Sequence, residues 1–143
     1  MIEFHCIDGI EVPELDSELF CLWLKYLVEN EGFELGPLNV IYCSDEYLLK
    51  MNRTHLDHDY YTDIITFDYT EDRLVSGDAF ISYDRIVDNA SVLDVAVVLE
   101  LLRVTAHGVL HLCGYKDKSS DEIELMRSKE DFYISRYVSR ETE

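Results

Sequence analysis

His107 and His111, followed by Gly114 and Asp117, are residues whose types and spacing could do metal chemistry. Histidines four apart share one face of a helix and come within reach of a single ion. Gly114 can take a left-handed backbone at no steric cost, so a helix carrying the histidines can stop and the chain can double back. That turn can bring Asp117 round as a third ligand. A histidine pair alone is more often packing or surface; it is the pair, the glycine and the carboxylate together that are specific. Three protein ligands leave a position open for water, the arrangement of a catalytic rather than a structural centre. The expected chemistry is metal-assisted hydrolysis, in which the ion lowers the pKa of water and stabilises charge on a phosphoryl oxygen. Gly108 stands where the metalloprotease pattern H-E-x-x-H carries its glutamate base, so a peptidase of that mechanism is disfavoured and the proton-transfer group stays unassigned.

These residues need a helix end to hold them. From about residue 92 to 113 the sequence is rich in Val and Leu, lacks Pro and has no Gly before Gly108, which predicts one central helix roughly 30 Å long. Glu100, Arg103, His107 and His111 form a polar stripe on it, with Val97, Val98, Leu101, Leu102, Val104 and Val109 on the other faces. Arg103 lies one turn before His107, where it could bind phosphate or pair with Glu100 or Asp117; the ion pair is the preferred reading. Ahead of this helix the pattern predicts a strand over 2–7 and a helix over 16–31, broken by Gly32 and the Gly36-Pro37 pair. A strand over 38–43 follows, then a helix over 45–53 capped by Ser44, with Tyr47, Leu48 and Met51 inward. Strands over 62–69 and 79–83 form a hairpin, with Glu71-Asp72 and Ser76-Gly77-Asp78 between them. Ser119 or Ser120 caps a last helix through Met126, Lys129 and Ile134, and the tail beyond Tyr137 is expected to fray.

A chain of 143 residues with 48% hydrophobic content fits one globular domain over 1–143. No apolar run reaches the roughly 18 residues of a membrane span, and the start of the chain has no export-signal character, so a soluble, cytoplasmic protein with no membrane partner is expected. Cys6, Cys21, Cys43 and Cys113 are too scattered for a zinc ribbon or a disulfide framework, and reduced, partly buried thiols are expected. With 12 Lys+Arg against 30 Asp+Glu the net charge is −18, which repels polyanions at long range. A nucleic-acid function therefore needs a local basic patch, for which Lys50, Arg53, Arg85, Arg103, Lys116 and Lys118 are candidates.

The 107–117 stretch closely resembles the H-G-x-L-H-L-x-G-Y-D-H signature of the YbeY family, metal-dependent endoribonucleases of bacterial ribosomal RNA maturation. Asn52, Asp59 and the run from Thr62 to Phe67 resemble that family's N-x-x-Y-R-x-x-D-x-x-T-D-V-L-S-F segment, and the run from Gly77 to Ile81 resembles its G-D-I block. The resemblance covers roughly residues 38–117 in order. It implies an α+β fold, a mixed four-stranded sheet packed with a long central helix and other helices, with a metzincin-like metal site at the end of the long helix beside an edge strand. It also implies His107, His111 and Asp117 as catalytic metal ligands for one divalent ion, zinc or alternatively iron, manganese or nickel. Single-stranded or ribosomal RNA is the implied substrate, with ribosomal proteins or the small ribosomal subunit as further partners.

Two departures matter. Asp117 replaces the signature's final histidine, and Lys116 its preceding aspartate. A carboxylate is a good zinc ligand, but its charge weakens the ion as a Lewis acid and raises the pKa of bound water; two His plus one carboxylate also suits iron or manganese. Leu56 stands where the family has an arginine expected to hold RNA phosphate, so Arg53, Arg85 or Arg103 substitutes, or RNA binding is weaker. His55 and His58 read as solvated loop residues, Asp63 and Asp78 as turn or capping groups, and Cys113 as core. Tyr60, Tyr61 and Tyr69 could stack on unpaired bases. Three functions remain open: an endoribonuclease of ribosomal RNA maturation and ribosome quality control, a metal-dependent hydrolase of a small or peptide substrate, and a non-catalytic ribosome-assembly factor.

Overall fold

A computed structural model of the chain describes residues 2–56 and 62–141. Its elements are β1 (Ile2–Cys6), α1 (Ser17–Asn30), β2 (Glu34–Cys43), α2 (Asp45–Leu56), β3 (Ile64–Asp68), β4 (Leu74–Ser82), α3 (Tyr83–Leu93), α4 (Val97–Leu112) and α5 (Ser120–Glu141). The strands form one mixed sheet in the order β1-β2-β4-β3, with β1 and β4 parallel to β2 and β3 antiparallel to β4. The fold is α+β, as expected.

Period-two alternation divides the sheet between two layers. Leu38, Val40 and Tyr42 of β2 and Val75 and Ile81 of β4 join the main core, with Trp23 and Leu27 of α1, Leu101 and Val109 of α4, and Tyr133 of α5. Cys43 and Ile65 belong to a smaller cluster with Leu48 of α2. The Tyr42 hydroxyl donates to Thr105 Oγ1 at 2.9 Å, because Thr105 gives its own proton to the Leu101 carbonyl at 2.7 Å; this fixes α4 across the centre of the sheet.

Five expectations are corrected. The helix predicted over 92–113 is two: α3 ends at Leu93, Asp94 adopts a left-handed conformation at φ 55°, and α4 begins at Val97. Absence of Gly and Pro suggested continuity, yet Asp tolerates this backbone better than most residues. Gly36 and Pro37 do not end an element but lie within β2, where the register to β4 shifts between Leu35 and Leu38, an irregularity that accommodates the missing proline N–H. Ser76, Gly77 and Asp78 lie inside β4, the turn being at Glu71 to Leu74 with Asp72 at φ 53°. Helix α2 runs on to Leu56, and α5 continues beyond Tyr137 to Glu141.

Candidate metal centre

Helix α4 ends in a turn that its sequence dictates. Gly114, at φ 100°, donates its N–H to the His111 carbonyl at 2.9 Å, and Tyr115 donates to the Leu110 carbonyl at 3.1 Å, a Schellman closure of the last turn. The reversal brings Asp117 back beside the histidines. Downstream, Ser119 Oγ accepts the Glu122 N–H at 3.2 Å while the Glu122 carboxylate accepts the Ser119 N–H at 2.9 Å, a capping box that starts α5 at once and holds the Asp117 segment between two helix ends.

The three side chains converge through one atom each. His107 Nε2 and His111 Nε2 are 3.0 Å apart, and Asp117 Oδ2 lies 3.1 Å from the first and 3.3 Å from the second. A tetrahedral ion with bonds of 2.0–2.1 Å separates its ligand atoms by about 3.3 Å, so the triangle has the size of one face of such a site. Among the described residues these three form the group of His, Cys and carboxylate side chains that could hold a metal ion.

Proton placement supports the same reading. The Tyr115 carbonyl, 2.9 Å from His111 Nδ1, can only accept, so Nδ1 carries the proton and a neutral His111 has its lone pair on Nε2. Glu130 Oε2 lies 2.7 Å from His107 Nδ1 and orders that ring in the same way. Two lone pairs and a carboxylate oxygen then meet at van der Waals contact, 3.0–3.3 Å apart, an arrangement that repels itself unless a positive charge lies between. Burial alone would lower the His107 pKa, but Glu130, Asp63 and Asp117 hold it above its ordinary value, so the field there favours positive charge.

Glu130 is a site residue that sequence reasoning missed. It is almost fully buried on α5 and bridges His107 to Arg103, whose guanidinium is 3.3 Å from Glu130 Oε1. Arg103 also forms a two-pronged pair with Glu100, and Glu100 accepts from Asn89 of α3 at 3.3 Å. The preferred ion-pair reading of Arg103 thus holds for Glu100, with Glu130 in place of Asp117 as its second partner. Arg85 pairs with Asp45 at 3.0 Å and Asp88 at 2.6 Å, and Arg53 is exposed on α2; neither borders the recesses around the ligands. Asp63 borders both recesses beside His107, and Asp78 accepts from Asn39 at 2.9 Å. Cys113 packs against the core, and its thiol is pushed up to about 12 by burial, so it stays protonated. His58, Asp59, Tyr60, Tyr61 and the side chains of His55 and Leu56 lie outside the described residues.

Gly108 has a packing reason to lack a side chain. A Cβ there would sit 2.5 Å from Ile64 Cδ1 and near Thr66 and Ala79, so this position of α4 faces the sheet and lets β3 lie close beneath the histidines.

A family model described as Endoribonuclease YbeY matches residues 8–138. The chain is 56% identical over 114 residues to an Endoribonuclease YbeY of Cytophaga hutchinsonii, covering 79% of this chain and 80% of the relative. It is 51% identical over 124 residues to that of Flavobacterium johnsoniae, covering 86% and 89%. The solution structure of TM1509 from Thermotoga maritima superposes with a TM-score of 0.68 at 25% identity, covering 98% of this chain and 91% of that one.

Proposed function

The chain belongs to the YbeY endoribonuclease family, and from that premise we propose that it is a metal-dependent endoribonuclease that cuts single-stranded RNA. Ribosomal RNA maturation and ribosome quality control are its pathway in this reading, residues 1–143 act as one cytoplasmic domain, and ribosomal proteins or the small subunit are its partners. Consistent with that location, no helix among the described residues is long and apolar enough to cross a membrane. The observation that carries the reading is the triangle of His107 Nε2, His111 Nε2 and Asp117 Oδ2 with sides of 3.0–3.3 Å.

His107, His111 and Asp117 would hold one divalent ion, zinc in this reading. When bound, the ion supplies Lewis-acid stabilisation of phosphoryl charge and lowers the pKa of water. The chain's own residues set the terms. The Tyr115 carbonyl and Glu130 keep both Nδ1 atoms protonated, which directs both Nε2 lone pairs to one point. Asp117 adds a formal negative charge where a histidine would add none, and so shifts the working pH upward. All three ligands remain partly exposed, with side chains 18–33% accessible, so a phosphodiester can reach them.

The test is cleavage of a labelled unstructured RNA by zinc-loaded protein, with elemental analysis of wild type, His111→Ala and Asp117→Ala. Wild type should hold about one equivalent of metal and cleave, chelation should abolish turnover, and each variant should lose both metal and at least a hundredfold of activity. Equal cleavage by wild type and His111→Ala would overturn the assignment.

A further inference from the structure

The ligands do not lie at the bottom of a closed pocket. Two recesses meet at them, sharing Asp63, His107 and Asp117 as a common wall. One, of about 400 Å³, continues past His111 to Thr62 and Lys118; the other, of about 330 Å³, continues along α5 past Glu130 to Arg103 and Arg127. A substrate bound at the ligands therefore has room on both sides of the reacting bond.

Cations border each recess, but they differ in what already occupies them. Arg103 is 15% exposed and is held by Glu100 and Glu130, so its charge is neutralised within the protein. Arg127 is 53% exposed, and its ion pair is a long one, 3.6 Å to the Glu130 oxygen that Arg103 also contacts. Lys118 is exposed, and its ammonium enters no ion pair among the described residues. Its backbone is nonetheless fixed, because the Lys118 N–H donates to the Glu122 carboxylate at 3.1 Å within the capping box of α5. One cation not already held by two carboxylates thus stands in each recess, flanking a metal-ligand triangle, on a chain whose net charge of −18 otherwise repels a polyanion.

We propose that a single RNA strand runs through both recesses across the metal centre, with a phosphate on one side held by Lys118 and a phosphate on the other held by Arg127. This rests on the nuclease reading of the same site and adds the strand's path and two residues that bind it. Lys118 and Arg127 then take the phosphate-binding role expected of the arginine that Leu56 replaces, in place of Arg53, Arg85 and Arg103.

The test uses metal-loaded protein and a fluorescein-labelled 12-mer of 2′-O-methyluridine, whose phosphates carry the charge of RNA, with affinity followed by anisotropy as salt is varied. Removing one phosphate contact on a single strand lowers the slope of log K against log salt by about 0.7, equivalent to about fivefold weaker binding at 0.1 M. Lys118→Ala and Arg127→Ala should each show that loss, and the double variant about the product of the two. Lys25→Ala, which removes the same charge from an exposed pair on α1, should leave the slope unchanged. An unchanged slope in either cleft variant, or an equal loss in Lys25→Ala, overturns the path. Cleavage of ordinary RNA is measured in parallel: binding that depends on Lys118 and Arg127 without cleavage would sink the nuclease reading and leave the path standing. Cleavage with no dependence of binding on the two cations would do the reverse.

Discussion

Glu130 decides which nitrogen of His107 is available to an ion. With Oε2 2.7 Å from Nδ1, the carboxylate accepts a hydrogen bond from the Nδ1 proton and keeps it there, leaves Nε2 bare and makes the ring more basic, while its other oxygen is held by Arg103 so that the group cannot swing away. Glu130→Gln keeps the size and an acceptor oxygen but removes the charge, and zinc affinity measured by competition with a chromophoric chelator should fall about 10–100-fold. Unchanged affinity, with the variant as stable as wild type to urea, would reduce Glu130 to a packing role. The candidate triad of His107, His111 and Asp117 was legible because each member meets a need of one site on one short stretch. Glu130 lies in another helix, but it left a signal: Met126, Glu130, Tyr133 and Tyr137 recur at spacings of four, three and four, so a carboxylate sits on a buried apolar stripe. Such a group must have a partner. The partner's identity was not legible, because only the packing of α5 on α4 brings it to His107.

At the scale of elements, the centre depends on how closely β3 and β4 approach the end of α4. Gly77 of β4 pairs with Asp68 of β3, and a Cβ there would press into the Phe67 carbonyl oxygen and lie 3.2 Å from Leu112, the last residue of α4. Backbone cannot move aside as a flexible side-chain tip can. Gly77→Ala should therefore destabilise the fold by about 1–3 kcal/mol, read as a lower urea midpoint at unchanged slope. A midpoint equal to wild type would mean that β3 shifts at no cost and that its spacing from α4 is not fixed by this glycine. The order of most elements was legible from periodicity and caps, with Ser44 capping α2 and Ser119 capping α5. Helix α3 was not. Val92, Leu93 and Val95 read as the first turn of a longer helix, yet they are exposed around a break at Asp94, a place where apolar content carries no information about burial.

At the scale of the whole molecule, Glu31 ties together parts that the sheet does not connect. It caps α1, accepts the Tyr115 hydroxyl at 2.6 Å from the metal-centre turn, and accepts Tyr133 and Lys129 from α5, the latter at 3.3 Å. Nothing in the sequence marked it among 30 acidic residues, since its three partners lie more than 80 positions away and meet it only in the folded chain. Burial alone would raise its pKa, but the bonds from Tyr115, Tyr133 and Lys129 to the ionised carboxylate outweigh that and hold it below its ordinary 4.5. A carboxylate whose pKa is lowered by folding contributes stability that is complete above its unfolded value and disappears as the pH falls through the folded one. Glu31→Gln should therefore cost about 2 kcal/mol near neutrality, the scale of a hydrogen bond to a charged group. The gap between variant and wild type, read from urea unfolding at successive pH values, should narrow steadily below 4.5. A gap that stayed constant into strong acid would mean that the carboxylate's charge does not hold α1, the turn and α5 together, and that the three donors would serve a neutral acceptor equally well.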